Sequence, residues 1–169
     1  MKFFSANLDS LRKLYIDELQ QLNSAEMQIT EALPKMIDAA TDPQLKQALK
    51  THLEETRGHV ARVKQILSQI SGSADSKKCK GIAALISEGE DVIKDAVDES
   101  VRDAGIIGAA QKVEHYEIAA YGTVRTFAEI LGETSHASLL EQTLKEEKHA
   151  DQVLTSISDT ANTKADKAA

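Results

Sequence analysis

Carboxylates and imidazoles stand where a helical bundle normally keeps its apolar side chains. Glu26, His52, Glu55, His59, Glu114, Glu117, Glu147 and Asp151 fall on lines of residues spaced three and four apart, with apolar residues on both sides. The first line reads Leu8, Leu11, Tyr15, Leu19 or Glu18, Leu22, Glu26, Ile29, Leu33 and Met36. The second reads Leu45, Leu49, His52, then Glu55 or Thr56, then His59, Val63, Ile66 and Ile70. The third runs Ile107, Ala110, Glu114, Glu117, Tyr121, Val124, Ala128 and Leu131, and the fourth Ala137, Leu140, Leu144, Glu147, Asp151 and Leu154. This spacing keeps residues on one face of an α-helix, so each face meant for the core carries acid near its middle. One such glutamate alone reads as a solvated helix face. Four lines interrupted at the same depth read differently, because burying ionised carboxylates without partners costs several kcal/mol apiece. No Lys or Arg lies on these lines. The economical compensator is one or two divalent metal ions, and oxygen ligands with a few imidazoles suit iron or manganese.

The elements that would carry these lines are marked by sparse punctuation. Ser5 or Asn7 can cap a first helix running to about Ala40, kinked at Pro34. Asp42 and Pro43 open a second that runs to about Ile70, where Ser71-Gly72-Ser73 ends it. A shorter helix occupies about Gly81 to Val97. Ser100 caps a third long helix ending at Gly132, and Thr134 or Ser135 opens a fourth to about Ser158. Short loops join the first long helix to the second and the third to the fourth, so each pair is an antiparallel hairpin. The expected fold is all-α: a ferritin-like four-helix bundle over residues 4–158, whose long crossover contains an additional helix. The remainder, 159–169, reads as a disordered polar tail.

Composition agrees with helix and narrows the partners. The 169 residues include only 8 Gly and 2 Pro, too few turn formers for a sandwich or barrel of many short strands. A single Cys excludes an internal disulfide framework and fits a reducing, cytoplasmic compartment. A net charge of -7 argues against binding nucleic acid or an anionic membrane. No apolar stretch approaches the length needed to cross a bilayer.

A weak internal repeat links the two hairpins. The segment from Glu26 to His59 aligns with Glu117 to Asp151, pairing Glu26 with Glu117, Glu55 with Glu147, and His59 with Asp151. Each hairpin would then supply half a site. Glu146 and His149 form a literal Glu-x-x-His, but both flank the Leu144–Glu147–Asp151 line and are assigned to the rim or surface. Tyr121, one turn from Glu117, is either a core aromatic or a hydrogen-bond partner of a ligand.

At these residues the sequence resembles the YciF/YciE-like proteins of the ferritin-like superfamily. The resemblance rests on Ser24-Ala25-Glu26-Met27-Gln28, His52-Leu53-Glu54-Glu55-Thr56, Gln111-Lys112-Val113-Glu114-His115-Tyr116-Glu117 and Glu146-Glu147-Lys148 with Asp151. It spans about Phe4 to Ile157. It implies a bacterial stress-associated helical protein, a homodimer, with a rubrerythrin-like or ferritin-like dinuclear metal site. The wider superfamily carries Glu-x-x-His on its second and fourth helices. Here the third residue after Glu55 is Gly58 and after Glu147 is Ala150, so His59 and Asp151, or His52, must substitute.

Three functions follow from such a core. A dinuclear iron or manganese centre could react with peroxide or dioxygen as an oxidase or peroxidase. The same site could bind or sequester iron without turnover. A metal-free bundle could serve a structural or partner-binding role, which the number of core carboxylates disfavours.

Overall fold

The computed structural model describes residues 8–168, which form five helices and no strand. They are α1 (Leu11–Ala39), α2 (Pro43–Ser71), α3 (Lys80–Asp95), α4 (Glu99–Ile130) and α5 (Thr134–Asp166). Local chemistry sets most boundaries. The Ser10 hydroxyl accepts from Lys13 N at 3.3 Å to open α1. The expected caps Ser5 and Asn7, and the first residues of the expected domain, lie outside the described residues. The helix continues through Pro34 as a single element. Asp42 caps α2, accepting from Gln44 N and Leu45 N, with Pro43 at its first position. α4 is capped by Asp98 rather than Ser100, because the Asp98 side chain accepts from Ser100 N at 2.7 Å and Val101 N at 3.1 Å. Gly72 (φ 72°) ends α2 and Gly132 (φ 75°) forms the α4–α5 turn, both in the left-handed region that Gly occupies without strain.

Most of the expected tail is helical among the described residues. α5 instead runs on to Asp166, because Ala161 packs into the core and Lys164 Nζ reaches Asp42 Oδ2 at 2.9 Å. A stretch this polar hides one apolar contact and one ion pair, which together hold its first turns against the head of α2.

α1 and α2 form one antiparallel hairpin and α4 and α5 another, and α3 lies in the crossover against α1 and α4. This is a ferritin-like four-helix bundle with a long crossover carrying an additional helix. No described helix is long and apolar enough to cross a membrane. The crossover is tied down at Asn23, whose amide donates to Ala74 O, and at Asp17, which meets Lys77 Nζ at 2.7 Å. Cys79, the residue that precedes α3, is buried, with its Sγ 3.2 Å from Tyr116 Oη. At the α1–α2 corner the buried Asp103 of α4 accepts from Thr41 N, Thr41 Oγ1 and Asp42 N, at 2.8, 2.6 and 2.7 Å.

The apolar core is split in two. One cluster gathers Ile29, Leu33, Leu45, Leu49, Ile106 and Leu154, with α3 covering it through Ile82. The other gathers Tyr15, Leu19, Leu22, Ile66, Val124 and Leu140. Between them lies a layer of buried polar side chains, to which every long helix contributes.

Candidate metal centre

The polar layer is made by Glu26 of α1, His52 and His59 of α2, Glu114 and Glu117 of α4, and Glu147 of α5, each no more than 6 % exposed. Their helical spacing aims them inward, since each replaces an apolar residue on a line that is apolar above and below. Their ligand-type atoms form two groups. His52, Glu114, Glu117 and Glu147 bring one atom each to within 4.8 Å of one another, and so do Glu26, His59 and Glu147. Glu147 belongs to both groups.

Within the first group, His52 Nε2 lies 3.3 Å from Glu114 Oε1 and 4.0 Å from Glu147 Oε2. In the second, His59 Nδ1 lies 2.9 Å from Glu147 Oε1 and 3.6 Å from Glu26 Oε2. These approaches are close, yet they do not satisfy the atoms. Both Glu117 oxygens, both Glu147 oxygens, Glu114 Oε2, Glu26 Oε2, His59 Nδ1 and both His52 nitrogens are buried with no hydrogen-bond partner in the protein. Buried polar atoms are normally paired. Donor atoms that crowd together without aligning on one another fit a common centre, and the mixed carboxylate and imidazole set fits iron or manganese. A carboxylate shared by two groups fits two ions.

Without an ion, protons balance the charge. Burial alone would lower the His52 pKa, but Glu114, Glu55 and Glu147 outweigh it and raise it to about 9. Burial opposes the His59 proton too, and Glu147 and Glu26 raise that group to about 11. Burial, with the neighbouring carboxylates, pushes Glu114 and Glu117 well above the usual carboxyl range. Glu147 runs the other way, since His59 and His52 overcome its burial and hold it ionised.

The other expected site residues stand differently. Glu55 is at the rim, half-buried, with Oε2 3.7 Å from His52 Nδ1. Of the two residues left open on that turn, Thr56 is the one buried, and its hydroxyl donates to His52 O at 2.8 Å. Asp151 is not brought to the cluster. It faces Gln111 and His115 at the bundle edge, while Ala150 occupies the buried step after Glu147. Both steps are helically legal, and the acid takes the wet side because the apolar cluster of Leu154 begins at that level.

Glu146 has a role that its sequence position did not reveal. It accepts from His59 Nε2 at 2.9 Å and is gripped by both terminal nitrogens of Arg62. Its burial is outweighed by Arg62, and its pKa is lowered. A carboxylate can only accept, so Glu146 holds a proton on Nε2 and orients the ring with Nδ1 towards Glu26 and Glu147. Such outer partners orient metal-binding histidines. Glu146→Gln is expected to weaken metal binding by about tenfold or more, with helicity unchanged, as read by competition with a chelator. His149 is exposed. Tyr121 is fully buried and donates to Glu26 Oε1, leaving Oε2 for the cluster.

The chain is similar to known proteins along nearly its whole length. Residues 10–167 match the family described as "Domain of unknown function (DUF892)". Protein YciF of Escherichia coli (strain K12) is 42% identical over 165 residues, covering 96% of this chain and 99% of that protein. The crystal structure of the E. coli stress protein YciF superposes with a TM-score of 0.88, covering 92% of this chain and 99% of that one. YcfI of Rhodopseudomonas palustris is 40% identical with a TM-score of 0.87, covering 90% and 98%. A Xanthomonas campestris structure, 23% identical over 90% of this chain and 93% of its own, shares the fold at a TM-score of 0.73.

Proposed function

Because the chain belongs to the DUF892 family of YciF-like proteins, we propose that it is a stress-associated bundle whose core holds two divalent metal ions, iron ahead of manganese, and that this centre reacts with peroxide or dioxygen. The observation that carries the reading is Glu147, shared by two groups of buried and unpartnered ligand atoms. When bound, the metals would supply the redox chemistry.

The protein's own residues would do the rest. Glu147 lies between the two groups. Glu146, held by Arg62, fixes which nitrogen of His59 faces them. Tyr121 restrains Glu26 by its hydrogen bond. The apolar clusters on either side keep water from the polar layer, and access is from the face lined by His52, Glu55 and Glu114. Low dielectric there strengthens each charge interaction.

The test is metal analysis of protein purified without chelator, followed by peroxide- and dioxygen-consumption assays. About two ions per chain and turnover lost in Glu147→Gln support the reading. Two ions with neither oxidant consumed overturn the redox assignment in favour of sequestration. Metal-free protein favours a structural role, and YcfI has been described as a candidate structural protein. The proposal includes a homodimer, for which light scattering should give twice the chain mass of 18.4 kDa.

A further inference from the structure

An open cleft of about 780 Å³ runs between α2 and α5 and ends on the polar layer. Leu49, Val153, Leu154 and Ile157 wall it, and the small side chains of Ala48 and Ala150 leave the room. At its inner end are His52 and Glu114, 6 % and 2 % exposed, with Nδ1, Nε2 and Oε2 unpartnered. Glu55 at the rim and the exposed His149 also line the cleft, and no Lys or Arg does. We propose that the cleft binds a neutral, largely apolar organic molecule carrying one hydroxyl group, with the hydroxyl against His52 and Glu114 and the hydrocarbon body along the walls.

The volume is that of a small-molecule site, far beyond what peroxide or dioxygen needs. Apolar walls favour a hydrocarbon body, which leaves water on entering. The floor decides the head group. An acidic ligand would give up the hydration of its charge on entering, and no Lys or Arg lines the cleft to offset that cost. A hydroxyl can donate to a carboxylate and accept from an imidazole, answering both kinds of floor atom. A second protein chain laid across the mouth would leave those buried atoms unmet. The proposal deepens the metal reading, on which it rests only for what the hydroxyl meets beyond the protein's own atoms.

Calorimetry on the full chain, chelator-treated and manganese-loaded, tests it with 4-butylphenol and its anionic counterpart 4-butylbenzoate. The phenol is expected to bind both forms once per chain, and the metal-free form at least about tenfold more tightly than the benzoate does. Ala48→Phe and Val153→Phe fill the cleft from its two sides. Each should weaken the phenol by about tenfold or more with helicity and metal content unchanged. Wild-type protein that ignores the phenol, or prefers the benzoate when metal-free, overturns the proposal without reference to any variant. So do fillings that leave binding intact, or that break a dimer instead. Metal content measured on the same samples separates the two readings. Phenol binding without metal sinks only the metal centre, and metal without phenol binding sinks only the cleft.

Discussion

If the core holds two ions as proposed, Glu147→Gln should leave the chain unable to retain either, whereas Glu117→Gln should cost it one. Elemental analysis after gel filtration should give about two ions per chain for the wild type, about one for Glu117→Gln and well under one for Glu147→Gln. The difference follows from membership. Glu117 belongs to one group of ligand atoms, and Glu147 to both. Glu147 also approaches both imidazoles, at 4.0 Å from His52 and 2.9 Å from His59, and they hold it ionised. An amide keeps the volume but offers one weaker oxygen and adds an NH2 that competes with the cations. Stability moves the opposite way at Glu117. Its carboxyl is fully buried with both oxygens unpartnered and its pKa pushed far up, so the metal-free fold carries a burial cost there. Metal-free Glu117→Gln should melt no lower than the metal-free wild type. Retention of two ions by Glu147→Gln would refute the shared-ligand arrangement.

The second large effect is a reversal of pH dependence on metal loading. His52 and His59 have folded pKa values of about 9 and 11 against an ordinary 6.5. The folded metal-free protein therefore binds these protons more tightly than the unfolded chain. Their stabilisation is complete below about pH 6.5 and is lost as pH rises towards 9 and beyond. Glu26, Glu114 and Glu117, raised from 4.5, act in the same direction from lower pH upward. Glu146 and Glu147 are lowered and oppose only in acid, where their contribution fades as pH falls below 4.5. The metal-free melting temperature should fall by roughly 5 °C or more between pH 6.5 and 9. In the loaded protein the ions compete with those same protons, so acid weakens metal binding and the melting temperature rises with pH. Thermal denaturation followed by circular dichroism, with and without chelator, reads both slopes. Parallel slopes would mean that the ions and the protons do not share these groups.

The bundle and most of the polar layer were legible because helical spacing leaves little freedom. Glu26, His59, Glu114, Glu117 and Glu147 sit on three- and four-residue steps from fully buried apolar neighbours, and the structure turns each of them inward. Ambiguity arose wherever two steps were legal. At Glu55 or Thr56 the hydroxyl goes in, because it can be satisfied by its own helix backbone while a carboxylate stays cheaper at the rim. At Ala150 or Asp151 the methyl goes in because it has no charge to strip of water. The internal repeat also misled in detail, since Glu55 is at the rim while its partner Glu147 is central, and His52, without a counterpart, joins the cluster in its place. Glu146 could not be assigned from its own helix, because its meaning lies in Arg62 and His59 on another. The last turns of α5 depend on one methyl and one ion pair that composition cannot weigh.

One contact far from the candidate metal centre bears on all of it. Asp103 fastens the corner of the first hairpin to a helix of the second with three hydrogen bonds. The candidate ligands come from both hairpins, so neither half brings them together until the two are aligned along their length. A slide of one helical turn, about 5.4 Å, would carry Glu26 and His59 past Glu147 altogether. Asp103 thus works as an indexing pin, setting at one end of the molecule the registration on which the two halves meet in the middle.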